Sequence, residues 1–211
     1  MLNFMAIGSV VAAMLVSPVS APAAVAASAP PTEKITVTVV TVLGSGCPAG
    51  TAAVAAAADN TAFTVTYSNY LAQVGVGAKP TDLRKNCQLS VQVSVPAGFT
   101  FAIAQADYRG FASLATGATG TQRANYYFQG TSPTASVVHS FSGPMSADWQ
   151  TTDTTLAAAY APCGELRNVN INTELRVAVG TSDPTTTTSF MAMDSTDVSV
   201  NTVYHLAWEQ C

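Results

Sequence analysis

CQLSVQVSV, residues 87–95, alternates over nine residues, with Cys87, Leu89, Val91 and Val93 on one side and Gln88, Ser90, Gln92 and Ser94 on the other. A two-residue period with one apolar side is the mark of an antiparallel strand that buries one face and wets the other. The same period recurs along the chain. KITVTVVTVL (34–43) places Ile35, Val37 and Val39 together and then changes phase at Val40, a shift that a β-bulge absorbs. FTVTYS aligns Phe63, Val65 and Tyr67, FTFAI aligns Phe99, Phe101 and Ile103, and VNINTELRVAV sets Val169, Ile171, Leu175 and Val177 against Asn170, Asn172, Glu174 and Arg176. VSVNTVYHLAW closes the series with Val198, Val200, Tyr204, Leu206 and Trp208.

Gly, Pro, Asn and Asp clusters such as GSGCPAG, GVGAKPTD and GTSDPTTTTS separate these runs. Three weaker strands are read in FASLA, NYYFQ and SVVHSFSG. GTAAVAAAADN (50–60) has the composition of a short helix, although its place between strands also allows a further strand. No βαβ alternation or internal repeat occurs. The expected fold is all-β: a single antiparallel β-sandwich over residues 34–211, with a β-barrel as the alternative.

Composition narrows the class. Charged residues make up 9% of the 211-residue chain and the net charge is -4. Nothing basic enough to bind nucleic acid is present. MAIGSVVAAMLV (5–16) is an apolar run too short to cross a bilayer comfortably, and Ala24-Val25-Ala26 behind it fits a cleavage site. Residues 1–26 are therefore expected to be a signal peptide, although no Lys or Arg precedes the apolar run, and residues 27–33 a Pro/Ala linker. After cleavage no segment is apolar enough to hold the product in a membrane.

All four cysteines lie beyond that cleavage site: Cys47, Cys87, Cys163 and Cys211. An even count in an exported chain points to disulfides, and the absence of any C-x-x-C pair argues against a zinc ribbon or a thioredoxin-like motif. Of the three possible connectivities, Cys47–Cys87 with Cys163–Cys211 is favoured, because each bridge then closes a loop within its own half. Either would contribute ~4 kcal/mol by constraining the unfolded chain. Cys87 leads an apolar stripe and so should cross-link its strand from inside. Alanine-rich strands bury little apolar area per residue, so the fold gains from the link.

No catalytic motif stands out, and no cofactor or metal site is expected. There is no G-x-S-x-G elbow, P-loop or H-E-x-x-H. His139 and His205 read as surface histidines. Two acidic pairs, Asp194 with Asp197 and Asp148 with Asp153, are calcium candidates of non-EF-hand spacing, better explained by turn chemistry. Tyr126, Tyr127 and Trp149 lie in apparent loop or edge segments, where exposed rings would stack on sugars. In DYRG, Asp107 and Arg109 share a face if extended, either as an ion pair or with Arg109 free to meet a ligand. No N-x-S/T sequon occurs.

Taken in order, GSGCP with Gly50-Thr51, RKNC (84–87), Pro96-Ala97-Gly98, DYRG (107–110), Cys163-Gly164, Asn170-Ile171-Asn172, Asp194-Ser195 and Trp208 with Cys211 resemble the secreted family catalogued as domain of unknown function 4360. The resemblance covers roughly residues 36–211. It implies an exported, disulfide-bonded protein, sometimes associated with cell walls, and carries no catalytic residues. Three functions are expected in descending order: a non-catalytic module that binds an extracellular polymer or protein; a secreted hydrolase of glycans or peptides using His139, His205 or a carboxylate pair; and an inhibitor presenting GSGCPAGT or the tract around Cys163.

Overall fold

A computed structural model describes residues 28–130, 135–154, 160–193 and 202–211. Among them there is no helix, and the alanine-rich tract after Gly50 is a strand. Twelve strands form: β1 (Thr36–Leu43), β2 (Ala52–Ala56), β3 (Ala62–Tyr67), β4 (Leu71–Gly75), β5 (Arg84–Ser94), β6 (Phe99–Leu114), β7 (Thr119–Phe128), β8 (Ala135–Ser142), β9 (Met145–Thr154), β10 (Asn168–Ala178), β11 (Thr188–Ala192) and β12 (Thr202–Gln210).

They make two antiparallel sheets packed face to face, not a closed barrel. The first has the order β1-β5-β10-β7-β8. In the second, β6 is the axis: β9 runs along one side, while β12 and then β11 occupy the other, with β3 and β2 beyond β12 and β4 beyond β11.

The expected phases hold among the described residues; Val198 and Val200, read as the start of the last strand, lie outside them. Cys87, Leu89, Val91 and Val93 are buried while Gln88 is exposed and Ser90 and Gln92 are half-buried. The phase change in β1 is a bulge: the register against β5 slips between Val39 and Thr41, leaving Val40 52% exposed. A second slip, between His205 and Leu206 opposite β6, moves the inward phase of β6 from Phe101 and Ile103 to Ala106 and Tyr108. That bulge lets β6 continue through DYRG and FASLA as one strand.

Both favoured disulfides are present, Cys47–Cys87 and Cys163–Cys211. Cys47 and Cys87 are fully buried. The GSG turn before Cys47 is glycine for a reason. Gly44 has φ +138°, and a Cβ on Gly46 would overlap the ring of Tyr70. Residues 28–33, read as linker, lie against the sandwich. Asn60 adopts a left-handed conformation (φ 60°) and donates from Nδ2 to the carbonyls of Pro31 and Glu33, while its Oδ1 accepts from the Ile35 amide. The signal segment 1–26 falls outside the described residues.

The core is unusually phenolic. Tyr67, Tyr70, Tyr108, Tyr126 and Tyr204 are all buried between the sheets, with Phe63 stacked on Tyr204 at 4.9 Å. In a chain with so few large aliphatic side chains, these rings supply much of the apolar contact area, at the cost of hydroxyls that need partners.

Candidate functional site

Three regions carry polar chemistry: the lateral gap between edge strands β8 and β9, and the two outer faces.

The lateral gap brings His139 and Asp153 together. His139 Nε2 lies 2.6 Å from Asp153 Oδ1, and the Tyr126 hydroxyl donates to Asp153 Oδ2 at 2.5 Å. The chain of hydroxyls runs on from Tyr126 to Tyr108 at 2.5 Å and from Tyr108 to Tyr204 at 3.4 Å. The Asp153 side chain is fully buried. Burial holds the phenols of Tyr108 and Tyr204 well above the ordinary tyrosine value, and Tyr126 likewise, with Tyr204 and Asp153 pushing it further. Next along the gap, Thr151 Oγ1 donates to Gln122 Oε1 at 3.5 Å, and the Trp149 ring lies against Phe141 at 5.4 Å. Among the described residues this assembly contains no serine bonded to either histidine, so it lacks the nucleophile–base contact of acyl transfer. Its geometry ties one sheet to the other.

His205 makes a second pair, on the outer face of the larger sheet. Its Nε2 lies 2.8 Å from Asp107 Oδ2, and Asp107 also accepts from Thr152 Oγ1 and Gln105 Nε2. Burial works to raise the Asp107 carboxyl, but the bonds from Thr152, His205 and Gln105 outweigh it and leave the group below the usual carboxylate range.

These contacts correct several expectations. Asp107 does share a face with Arg109, but its carboxylate is committed to His205 and Thr152; Arg109 stands exposed without an ion pair among the described residues. Trp149 is not in a loop or exposed: it is an inward residue of β9 and only 4% accessible. Its ring covers Gly110 of β6, where a Cβ would come within 2.6 Å of it. The strand was missed because its other inward positions are Thr151 and Asp153, which do not look like a core stripe. Asp148 and Asp153 cannot share a cation, since Asp148 points to solvent and Asp153 into the gap. Asp194 and Asp197 lie outside the described residues, among which no metal-ligating cluster occurs. Tyr126 and Tyr127 divide as neighbours on a strand must: Tyr126 is buried and Tyr127 is half-buried on the outer face of the five-stranded sheet.

That outer face is the most distinctive surface. Cross-strand registers line up its side chains in rows. Gln92 faces Asn168; Ser90, Asn170 and Tyr127 form the next row; then Gln88, Asn172 and Asn125; then Asn86, Glu174 and Arg123. One step further, Arg84, Arg176 and Thr121 are aligned. Outward positions of β5 and β10 were legible as Gln, Ser and Asn in the alternating runs. Arg123 and Asn125 were not, because TQRA was not recognised as part of a strand. At the basic end, Arg84 pairs with Glu174 through both Nε and Nη2 at 2.5 Å. Arg123 and Arg176 are exposed and have no carboxylate partner among the described residues. They flank a shallow depression of about 290 Å³ lined also by Thr119, Thr121, Val138 and Glu174.

Comparison with known proteins gives a family but no activity. The family described as a domain of unknown function, DUF4360, matches residues 33–211. An uncharacterized secreted protein of Arthroderma benhamiae is 34% identical over 186 residues, covering 87% of this chain and 75% of the relative. Among solved structures, the enzymatically active domain of bacteriophage CBA120 tailspike protein 4 aligns at 14% identity with a TM-score of 0.26. The match covers 84% of this chain, which spans only 19% of the tailspike chain. With its family match running over nearly all the described residues, and a relative sharing a third of its sequence, this chain belongs to the DUF4360 family.

Proposed function

We propose that the protein is exported and acts outside the cell as a non-catalytic module that binds a polysaccharide on the outer face of its five-stranded sheet. The observation that carries this is the set of cross-strand rows, in which amides and hydroxyls from three adjacent strands stand side by side with Tyr127 among them. Asn and Gln side chains each offer both donors and acceptors, which is what a sugar's hydroxyls require. Tyr127 adds a ring face for stacking. Export is supported by the leader-like first 26 residues, by the two disulfides and by the relative in A. benhamiae, itself a secreted protein.

The test is retention of the mature protein on insoluble polysaccharides and isolated cell walls. Tyr127→Ala and Asn172→Ala should lower retention while leaving the melting temperature unchanged. Retention by no polymer, or retention indifferent to both substitutions, would remove the basis of the assignment.

A further inference from the structure

We infer that the polysaccharide bound on this face is acidic, with its carboxylates received by Arg123 and Arg176. This rests on the polysaccharide-binding role proposed for the face and goes further by naming the ligand's charge and the side chains that meet it.

Charge is scarce in this chain, with eight basic residues against twelve acidic ones. Yet three arginines, Arg84, Arg123 and Arg176, sit on three adjacent strands at one end of a single face, with Glu174 as the carboxylate among them. The register sharpens the point. Arg84 of β5 and Arg176 of β10 are directly opposite each other. Like charges in that position oppose sheet formation. Glu174 relieves only one of them, because its carboxylate is taken by Arg84 through two nitrogens. Arg123 is directly opposite Glu174 across the β10–β7 pair but makes no ion pair with it. Arg176 is the diagonal neighbour of Arg123, which puts their Cβ atoms somewhat less than about 7–8 Å apart.

Two exposed guanidiniums lining one depression, together with Val138 and the hydroxyl-bearing Thr119 and Thr121, are complementary to an oxyanion. A guanidinium presents a planar fork of N–H donors that matches a carboxylate with two parallel hydrogen bonds. The remainder of the face suits a sugar chain that carries that carboxylate. Tyr127 is four positions along β7 from Arg123, hence about 13 Å away, and Asn125 lies between them. An extended uronic-acid polymer would place hydroxyls over the amide rows and a carboxylate at the basic end.

The experiment uses the mature protein and three soluble probes: polygalacturonate, the same polymer methyl-esterified to remove its charge, and dextran sulfate. Binding is read by affinity electrophoresis and titration calorimetry. Polygalacturonate should bind at least about tenfold more tightly than its ester, and its affinity should fall as salt rises. Arg123→Gln with Arg176→Gln should abolish that preference without lowering the melting temperature, whereas Arg109→Gln on the opposite sheet should change nothing. Equal binding of the ester and the free acid, still lost in Tyr127→Ala, would overturn the acidic assignment while leaving the polysaccharide reading intact. Binding to dextran sulfate but not to polygalacturonate, or loss of binding equally in Arg109→Gln, would also overturn it. Failure of every glycan to bind would overturn both.

Discussion

The phenolic core predicts how the protein fails in alkali. Burial raises the pKa of Tyr67 to about 12 and holds Tyr70, Tyr108, Tyr126 and Tyr204 above the ordinary value of 10.0 as well. In the unfolded chain the same phenols ionise near 10. A folded-state value raised in this way stabilises the fold fully at pH values below the unfolded pKa. As pH climbs past 10, the unfolded chain releases protons that the folded chain retains, so stability falls. Each phenol withheld from ionisation costs about 1.4 kcal/mol by pH 11, and five together about 7 kcal/mol. That is comparable with the whole stability of a domain, about 5–15 kcal/mol. Unfolding is therefore expected to be steep and to fall close to pH 11, well before any gradual loss of surface charge would disrupt the sheets.

The assay follows tyrosinate absorbance and far-ultraviolet circular dichroism on one pH titration. Of the seven tyrosines, the five buried ones should ionise only together with loss of the β-sheet signal. Tyr204→Phe should make the pH dependence shallower by about a fifth, because one proton fewer is then linked to unfolding. If more than two tyrosines ionise while the sheet signal is intact, the phenols are not buried as described and the reasoning fails.

Gly110→Ala should destabilise the fold by about 3 kcal/mol or more, since the new methyl group would strike both the Ala192 carbonyl oxygen and the Trp149 ring. At 2–4 °C per kcal/mol for a chain of this size, the melting temperature should drop by roughly 6–12 °C; a change under about 1 °C would contradict the packing. Trp149→Ala should cost about 3–5 kcal/mol, whereas Trp149→Phe should cost far less, because the indole N–H has no acceptor among the described residues. Replacing Cys47 and Cys87 together by Ala should remove about 4 kcal/mol, checked by urea unfolding, and replacing only Cys163 and Cys211 a similar amount. Tyr126→Phe takes a charge-assisted bond from Asp153 and should lower stability by about 1.5–3 kcal/mol without loss of polymer retention. Tyr127→Ala should do the reverse, and a shared phenotype would show that strand parity had been misassigned.

Long alternating runs declared themselves in sequence. β5, β10 and β3 bury the residues that their period assigns, and even the bulge in β1 was visible as a change of phase at Val40. β4 and β11 were missed because each offers five residues, too few for a period to show. β9 was missed for a different reason. Its inward side carries Trp149, Thr151 and Asp153, and a buried carboxylate is intelligible only once His139 and Tyr126 are brought to it from β8 and β7. The candidate face was half legible: β5 and β10 announced their outward amides, but the position of Arg123 beside Arg176 is a property of sheet order, which periodicity does not contain.

Sheet order also explains why the proposed face can be rigid in a chain so poor in bulky aliphatic side chains. Its central strand, β10, has no free edge, being bonded along its length to β5 and β7. β5 is anchored at Cys87, the residue that pairs with Thr173 of β10. Thr173 in turn shares a hydrogen bond with Tyr70 at 3.1 Å, on the side of the sandwich opposite to Asn172 and Glu174. β7 is held from beneath by Tyr126 on Asp153. The three strands that carry the face are thus each fixed from within at one point: β5 by a disulfide, β10 by a buried hydroxyl and β7 by a carboxylate. Binding to such a platform forgoes little backbone entropy, so even modest polar contacts, repeated along a polymer, are retained as affinity.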